Sequence, residues 1–303
     1  MSLKVAVVGA GHMGKIHLQK LLSMEDVQVV GVIDRDISLT EDISEKYRIP
    51  FFSDYLRMTG EIDCVIVASS TETHFEIAKL FLEKKIHVFV EKPITSDVAE
   101  AASLIELAEK ENLVLQVGHL ERFNPAFKKA APLIQNPVFV KACRTSNFTG
   151  RSSNIDVVLD LMIHDIDLVL SIAKSDVKNI TSQGISFIGD TLDMVNTTIE
   201  FMNGFTAGLF ASRIASQKER SLSVFEKDKN IYIDLLNGKS IFNIKKGDNN
   251  IETSEFVSDK IDSVMEELLE FVSSIKGEKK PSVRGEDGLK ALILANKIKE
   301  NIA

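Results

Sequence analysis

The stretch KVAVVGAGHMG, residues 4–14, decides how the first part of the chain folds. Its opening, KVAVVG, is an apolar run rich in valine, the pattern of a strand buried on both faces of a parallel sheet. The run leads directly into Gly9, Gly11 and Gly14 at GxGxxG spacing, and a helical pattern follows from about Met13 to Ser23. That spacing gives each glycine a task. Gly9 permits the tight turn, Gly11 lets the backbone approach a pyrophosphate closely, and Gly14 lets the helix pack on the strand. The helix then presents unpaired N–H groups to the phosphates. His12 and Met13 stand in the same turn and are candidate cofactor contacts.

A second strand, VQVVGVID at 27–34, ends in Asp34, 20 residues past Gly14. A carboxylate there accepts hydrogen bonds from the adenosine ribose hydroxyls and repels a 2′-phosphate, so NAD is the expected cofactor. Arg35 keeps NADP open, because a guanidinium suits either an adenine face or a 2′-phosphate; a solvated surface arginine is the alternative.

Helical patterns at 38–48, 74–84 and 97–111 alternate with strands at 62–69, 86–91 and 113–118. Such alternation predicts a doubly wound parallel sheet with ligands at the carboxyl ends of the strands. Three polar segments fall at such ends: SSTETH at 69–74, EKP at 91–93 and GHLERFNP at 118–125. Ser69, Ser70 and Thr71 are candidates for the nicotinamide ribose or carboxamide, with His74 beginning a helix near that ribose. Glu91 and Lys92 stand beside them. A lysine just beyond a strand end, next to an oxidised nicotinamide, suits proton transfer or polarisation of an oxygen. Pro93 fixes the turn, with a cis bond open to it.

After about residue 122 the pattern changes. PVFVKACRTS, NITSQGISFIG, DMVNTTIEFM, GFTAGLFASRIA, SLSVFEKD, NIYIDLLN and SIFNIKK read as successive strands, with turn signals at 203–204 and 237–238. They predict an antiparallel sheet with one or two helices. The expected fold is therefore α/β plus α+β, with a Rossmann domain over 1–121 and an α+β domain over 122–303. Amphipathic helices at 262–276 and 285–302 close the chain, the last of them able to pack back on the first domain.

Among the strands lies LDLMIHDIDLVL, residues 159–170, a core-like helix interrupted by acids and a histidine. At helical spacing Asp160, His164 and Asp167 share one face, while Asp165 falls outside it. A carboxylate one turn from an imidazole fixes its tautomer, which suits a general base; a stripe meeting water or a salt bridge is the other reading.

Composition excludes some functions. A net charge of −8 argues against a general nucleic-acid binder. Cys64 and Cys143 form neither a disulfide framework nor a metal-ligand pattern, and no metal is expected. No apolar run approaches the ~18 residues of a membrane span, and the start lacks a cleavage signal, so a cytoplasmic protein is expected.

Taken together, GAGHMG, Asp34, EKP and DLMIH resemble the Gfo/Idh/MocA oxidoreductase family, and the likeness extends over essentially the whole chain. The resemblance implies an open-faced sheet in a substrate-binding and oligomerisation domain, and hydride transfer between NAD(P) and a hydroxyl carbon of a sugar, inositol or nucleotide sugar. It implies that His164 takes the hydroxyl proton, that Lys92 hydrogen-bonds or relays it, and that Asp160 orients substrate or histidine. The compact chain, GHLERFNP and ASRIASQKERSLSVFE are most similar to members acting on nucleotide sugars, which implies oxidation of UDP-N-acetylglucosamine at its 3-hydroxyl. Arg144, Arg151, Arg213 and Arg220 are candidate pyrophosphate contacts, or solvated charges. Arg122 and Asn124 are expected to tie the two domains together. IDVVLD stands where many relatives carry glycines, so the approach to Asp160 is expected to differ. A homo-dimer or homo-tetramer is expected, because relatives bury the open sheet face. Alternatives are a free-sugar or inositol dehydrogenase, a redox-neutral enzyme that recycles its NAD, and a dinucleotide-binding module without chemistry.

Overall fold

The computed structural model describes residues 2–58, 60, 62–148, 150 and 155–302. The chain divides into two compact units, Met1–His119 with Val264–Leu289, and Leu120–Ser263 with Lys290–Ala303.

The first unit holds six parallel strands, β1 (Leu3–Val8), β2 (Val27–Ile33), β3 (Phe51–Phe52), β4 (Cys64–Val67), β5 (His87–Val90) and β6 (Leu115–Val117), in spatial order β3-β2-β1-β4-β5-β6. The order reverses between β1 and β4, which opens a crevice at their carboxyl ends. The helices are α1 (His12–Leu21), α2 (Ile37–Tyr47), α3 (His74–Glu83) and α4 (Val98–Lys110). Two begin on aspartate caps, Asp36 accepting from Ser38 N and Asp97 from Ala99 N and Glu100 N.

The strands carry few polar residues because both faces are covered. On one face Val5, Val7, Cys64, Ile66 and Phe89 meet Leu268, Phe271 and Val272 of the penultimate helix. The sequence boundary at 121 thus needs a correction at the far end. It is the segment Val264–Leu289 that belongs to the first unit, while most of the last helix packs into the second. An amphipathic pattern shows that a helix has an apolar face but not which sheet receives it.

The second unit opens with α5 (Pro125–Ala130), capped by Asn124. Its sheet has eight strands: β7 (Phe139–Thr145), β8 (Val177–Ile185), β9 (Met194–Phe201), β10 (Thr206–Ser212), β11 (Glu219–Phe225), β12 (Lys229–Asp234), β13 (Lys239–Lys245) and β14 (Ile251–Val257). Their order is β14-β13-β12-β11-β7-β10-β9-β8. The sheet is antiparallel except at β7–β10, which run parallel because the chain crosses over between them. β14, IETSEFV, is absent from the sequence-based reading. It is an edge strand, exposed along nearly its whole length, so it needs no apolar alternation, and its charged residues blunt the edge.

One face of the sheet buries Val140, Ala142, Val195, Ile199, Ala207 and Leu209 against α6 (Ile163–Ala173) and the end of α8 (Gly285–Glu300), which follows α7 (Ser263–Ile275). The opposite face carries Phe139 and Phe225, directly paired across β7 and β11, both exposed, with ring centroids 6.1 Å apart.

Candidate active site

In the first unit the glycine turn lies at the crevice. Gly9 adopts φ +102°, and a Cβ there would collide with the main-chain carbonyl of Ala68 at the end of β4. A Cβ on Gly14 would collide with the carbonyl of Gly9, whereas one on Gly11 would meet nothing. Gly9 and Gly14 are therefore required by the fold, and Gly11 borders open space at the N-terminus of α1, where an anion is favoured. His12 is exposed at the first position of that helix and Met13 is half-buried behind it.

Asp34 Oδ2 accepts from Ala10 N at 2.7 Å and Oδ1 accepts from Asp36 N at 2.9 Å. Each oxygen keeps a lone pair for a further donor. Asp34 lines a pocket of about 280 Å³ with Gly9, Arg35, Ser69 and Ser70. Ser53, Tyr55 and Thr73 line it too and were not picked out from sequence; β3, which delivers the first two, is only two residues long and shows no periodicity. Thr73 Oγ1 lies 2.8 Å from Ser69 Oγ. Thr71 stands half-buried at the start of the short turn that leads into α3. These residues fit a dinucleotide: a bare glycine for phosphate, a half-buried carboxylate for ribose and a polar pocket between. A larger groove, about 380 Å³, opens at the other end of β6 between Leu113 and Arg284, remote from these groups.

Lys92 follows β5 and is half-buried, in a turn with a cis Lys92–Pro93 peptide. Two neighbours read as cofactor contacts have other work. His74 is buried, with Nδ1 2.9 Å from Pro93 O and Nε2 3.2 Å from Ser69 O. Both nitrogens face carbonyls, so the ring sits between two loops, the shorter contact being to Pro93 O. Glu91 is also buried: Oε1 lies 2.7 Å from His17 Nε2, and Oε2 accepts from Lys92 N at 3.2 Å. Burial pushes its carboxyl up, but the His17 hydrogen bond, the His17 and Lys92 charges and the Lys92 N–H together hold it below the usual range. Glu91 thus supports the lysine turn through the Lys92 N–H.

In the second unit Val158–Met162 forms a π-helical turn that runs into α6, so Asp160 sits on a widened turn and His164 on the regular helix after it. Single π turns of this kind concentrate at functional sites. Both side chains are half-buried. Asp167 does not join them: its carboxylate accepts from Arg122 Nε at 2.7 Å and Nη2 at 2.9 Å. Arg122 and Asn124, expected to join the domains, bond within the second unit, Asn124 to Glu121 and to Leu235 O.

The arginines are redistributed as well. Arg144 is 2 % exposed; its guanidinium forks onto Asp165 at 2.8–3.1 Å and reaches Glu121 Oε1 at 2.9 Å. Burial works against its charge, but Asp165 and Glu121 outweigh it and the net shift is upward. Arg213, also buried, donates to Ile155 O and Leu192 O and pairs with Asp193 at 3.4 Å. Neither presents a free edge to a pyrophosphate, because each guanidinium neutralises buried acids or carbonyls of its own unit. Arg151 lies outside the described residues. Arg220, with 37 % of its side chain exposed and Glu121 at 3.6 Å, is the member of the set that faces solvent.

Among the described residues no helix is long and apolar enough to cross a membrane. Residues 3–119 match the oxidoreductase family with the NAD-binding Rossmann fold, Gfo/Idh/MocA, and residues 141–231 match the C-terminal domain of the same family. UDP-N-acetylglucosamine 3-dehydrogenase of Acidithiobacillus ferrooxidans is 32% identical over 236 residues, covering 78% of this chain and 75% of its own. The crystal structure of that protein superposes with a TM-score of 0.94 over 100% of this chain and 98% of the other, at 28% identity. Myo-inositol 2-dehydrogenase of Thermotoga maritima is 26% identical over 99% of this chain and 96% of its own. Scyllo-inositol dehydrogenase of Lactobacillus casei, at 19% identity over 100% and 97% of the two chains, shares the fold with a TM-score of 0.86. The glycine turn, Asp34 and the two-unit architecture are thereby accounted for together: the chain belongs to the Gfo/Idh/MocA family of NAD-dependent oxidoreductases.

Proposed function

We propose that the chain interconverts UDP-N-acetylglucosamine and its 3-keto sugar. The observation that carries this reading is the end-to-end likeness to the Acidithiobacillus enzyme, at a TM-score of 0.94 against 0.86 for the inositol enzyme. NAD, held at the glycine turn and Asp34, would supply the acceptor for the hydride of the carbinol carbon. The remaining work falls to the protein. Lys92, held from below by Glu91, hydrogen-bonds the reacting oxygen; His164 accepts the hydroxyl proton as general base; Asp160 orients the imidazole or the sugar. Arg220 is the cation offered to the diphosphate.

A free polyol is the second reading, favoured by the burial of Arg144 and Arg213 and by the myo-inositol relative. NADH formation distinguishes the two when UDP-N-acetylglucosamine, UDP-glucose, N-acetylglucosamine, myo-inositol and scyllo-inositol are compared, with an aminotransferase and glutamate present to draw off the ketone. Turnover confined to UDP-N-acetylglucosamine is the expected result. Turnover with inositols alone overturns the substrate and leaves the chemistry standing.

A further inference from the structure

Beneath the Lys92 turn, inside the first unit, three side chains from three elements converge: His17 from α1, Glu91 from the end of β5 and Glu267 from α7. One ligand-type atom from each lies within 4.8 Å of the others, and all three residues are buried, His17 and Glu267 completely. The surroundings hold an excess of acceptors. Glu267 Oε1 and Oε2 and Gln116 Oε1 are buried acceptors with no hydrogen-bond partner among the described residues, His17 Nδ1 is unpartnered as well, and the Gln116 amide N–H is already given to the main-chain oxygen of Glu267. Glu91 brings an ionised carboxylate into the same space, already engaged by His17 and by Lys92 N. A second carboxylate here, without a donor of its own, is the costliest arrangement a protein interior offers. A proton on Glu267 turns it into a donor within 4.8 Å of Glu91, a separation that a direct hydrogen bond or one water can bridge.

We propose that Glu267 is a positioning residue that stays protonated at neutral pH, donates toward Glu91, and through Glu91 holds the Lys92 turn in place. The charged and titratable groups around it agree. Burial first, and the neighbouring Glu91 charge second, push the Glu267 carboxyl well above the usual range. The facing groups from the other elements are His17, Glu91 with Lys92 beside it, and the uncharged Gln116. Two carboxyls sharing one proton carry a single negative charge between them beneath the lysine. Two charges there would bind the ammonium more tightly and weaken its action on a substrate oxygen.

The functional consequence rests on the reading of Lys92 as a catalytic residue; the protonation does not, and the test separates them. In the infrared difference spectrum between the parent and Glu267→Gln, the intact protein is expected to show a carboxylic-acid carbonyl band at neutral pH that the variant lacks. Stability supplies a second readout. A carboxyl raised in the folded state contributes stability that is complete below its unfolded pKa and is lost as pH rises through the folded value, so the parent should lose ground to Glu267→Gln as pH rises. The expected loss is up to about tenfold in the folding equilibrium per pH unit until the folded value is passed. Activity supplies the third. Glu267→Ala is expected to lower kcat roughly tenfold without changing KM for NAD, with Glu267→Gln restoring most of it, because a primary amide can still donate. No acid band, together with a stability difference that does not change with pH, overturns the proposal. So does a stoichiometric divalent metal in protein purified without chelator, which would give the three groups to an ion. An acid band with no activity on any substrate leaves the protonation intact and rejects the reading of Lys92 instead.

Discussion

The main-chain carbonyl of Pro93 lies 2.9 Å from Nδ1 of His74, which ties the turn carrying Lys92 to the helix that follows β4. Burial holds the imidazole below its ordinary pKa, against the pull of the two carbonyls and of Glu91 and Glu72. A neutral ring has one N–H, and the shorter contact assigns it to Nδ1. His74→Ala is expected to cost about 1–3 kcal/mol, the range for stranding a buried polar group, measured by urea denaturation. Because the unfolded chain binds the proton more tightly, the contribution of neutral His74 is present above the unfolded pKa of about 6.5 and is lost as pH falls toward the folded value. His74→Gln should flatten that acid limb. An unchanged limb would mean that His74 titrates normally.

Asp34 carries two structural hydrogen bonds as well as the expected ribose contact. Asp34→Ser should raise KM for NAD by about ten- to a hundredfold, the worth of hydrogen bonds to a charged group. It should raise KM for NADP far less, because the charge that repels a 2′-phosphate is gone and Arg35 remains. An equal loss with both cofactors would assign Asp34 to the turn alone.

Arg144 and Arg220 should separate in their effects. Arg144→Met strands Asp165 and Glu121 in the interior and is expected to destabilise the protein by about 3–5 kcal/mol. Arg220→Ala, at a half-exposed site, should leave stability nearly unchanged while raising KM for UDP-N-acetylglucosamine. Equal, small effects of the two on KM would return the diphosphate contact to an open question.

Phe139 and Phe225 are paired and exposed on the open face of the second sheet, and we propose this face as the surface on which copies associate. Light scattering at micromolar concentration should give a dimer or tetramer mass for the parent and a smaller species for Phe225→Lys. A monomeric parent would reject that association.

The contrast between legible and illegible parts follows range of interaction. Gly9, Gly11, Gly14 and Asp34 were readable because their chemistry is local: a turn, a helix start and a strand end within one βαβ unit. The place of Lys92 just past β5 is local in the same way, while its part in the chemistry is a proposal. Arg144 was misread because a loop-like arginine and a buried one look alike until Glu121 and Asp165 are brought to it from 23 and 21 residues away. The intramolecular partners of His74 and Glu91 are hidden from sequence for the same reason, since Pro93 and His17 come from other elements. Asp167 was placed beside His164 by ideal helical periodicity, and Arg122 claims it instead. Glu267 offered no signal, being one glutamate among several on an amphipathic helix.

The proposed reaction is hydride transfer from carbon 3 of a nucleotide sugar to NAD, with Lys92 at the reacting oxygen. Its most direct test is UDP-N-acetylglucosamine deuterated at carbon 3, incubated with NAD and the parent or Lys92→Ala, with the NADH analysed by mass spectrometry. The account predicts deuterium in the NADH from the parent, and a rate lowered about a hundredfold or more in Lys92→Ala with NAD still bound. NADH without deuterium, or an unimpaired Lys92→Ala, would contradict it.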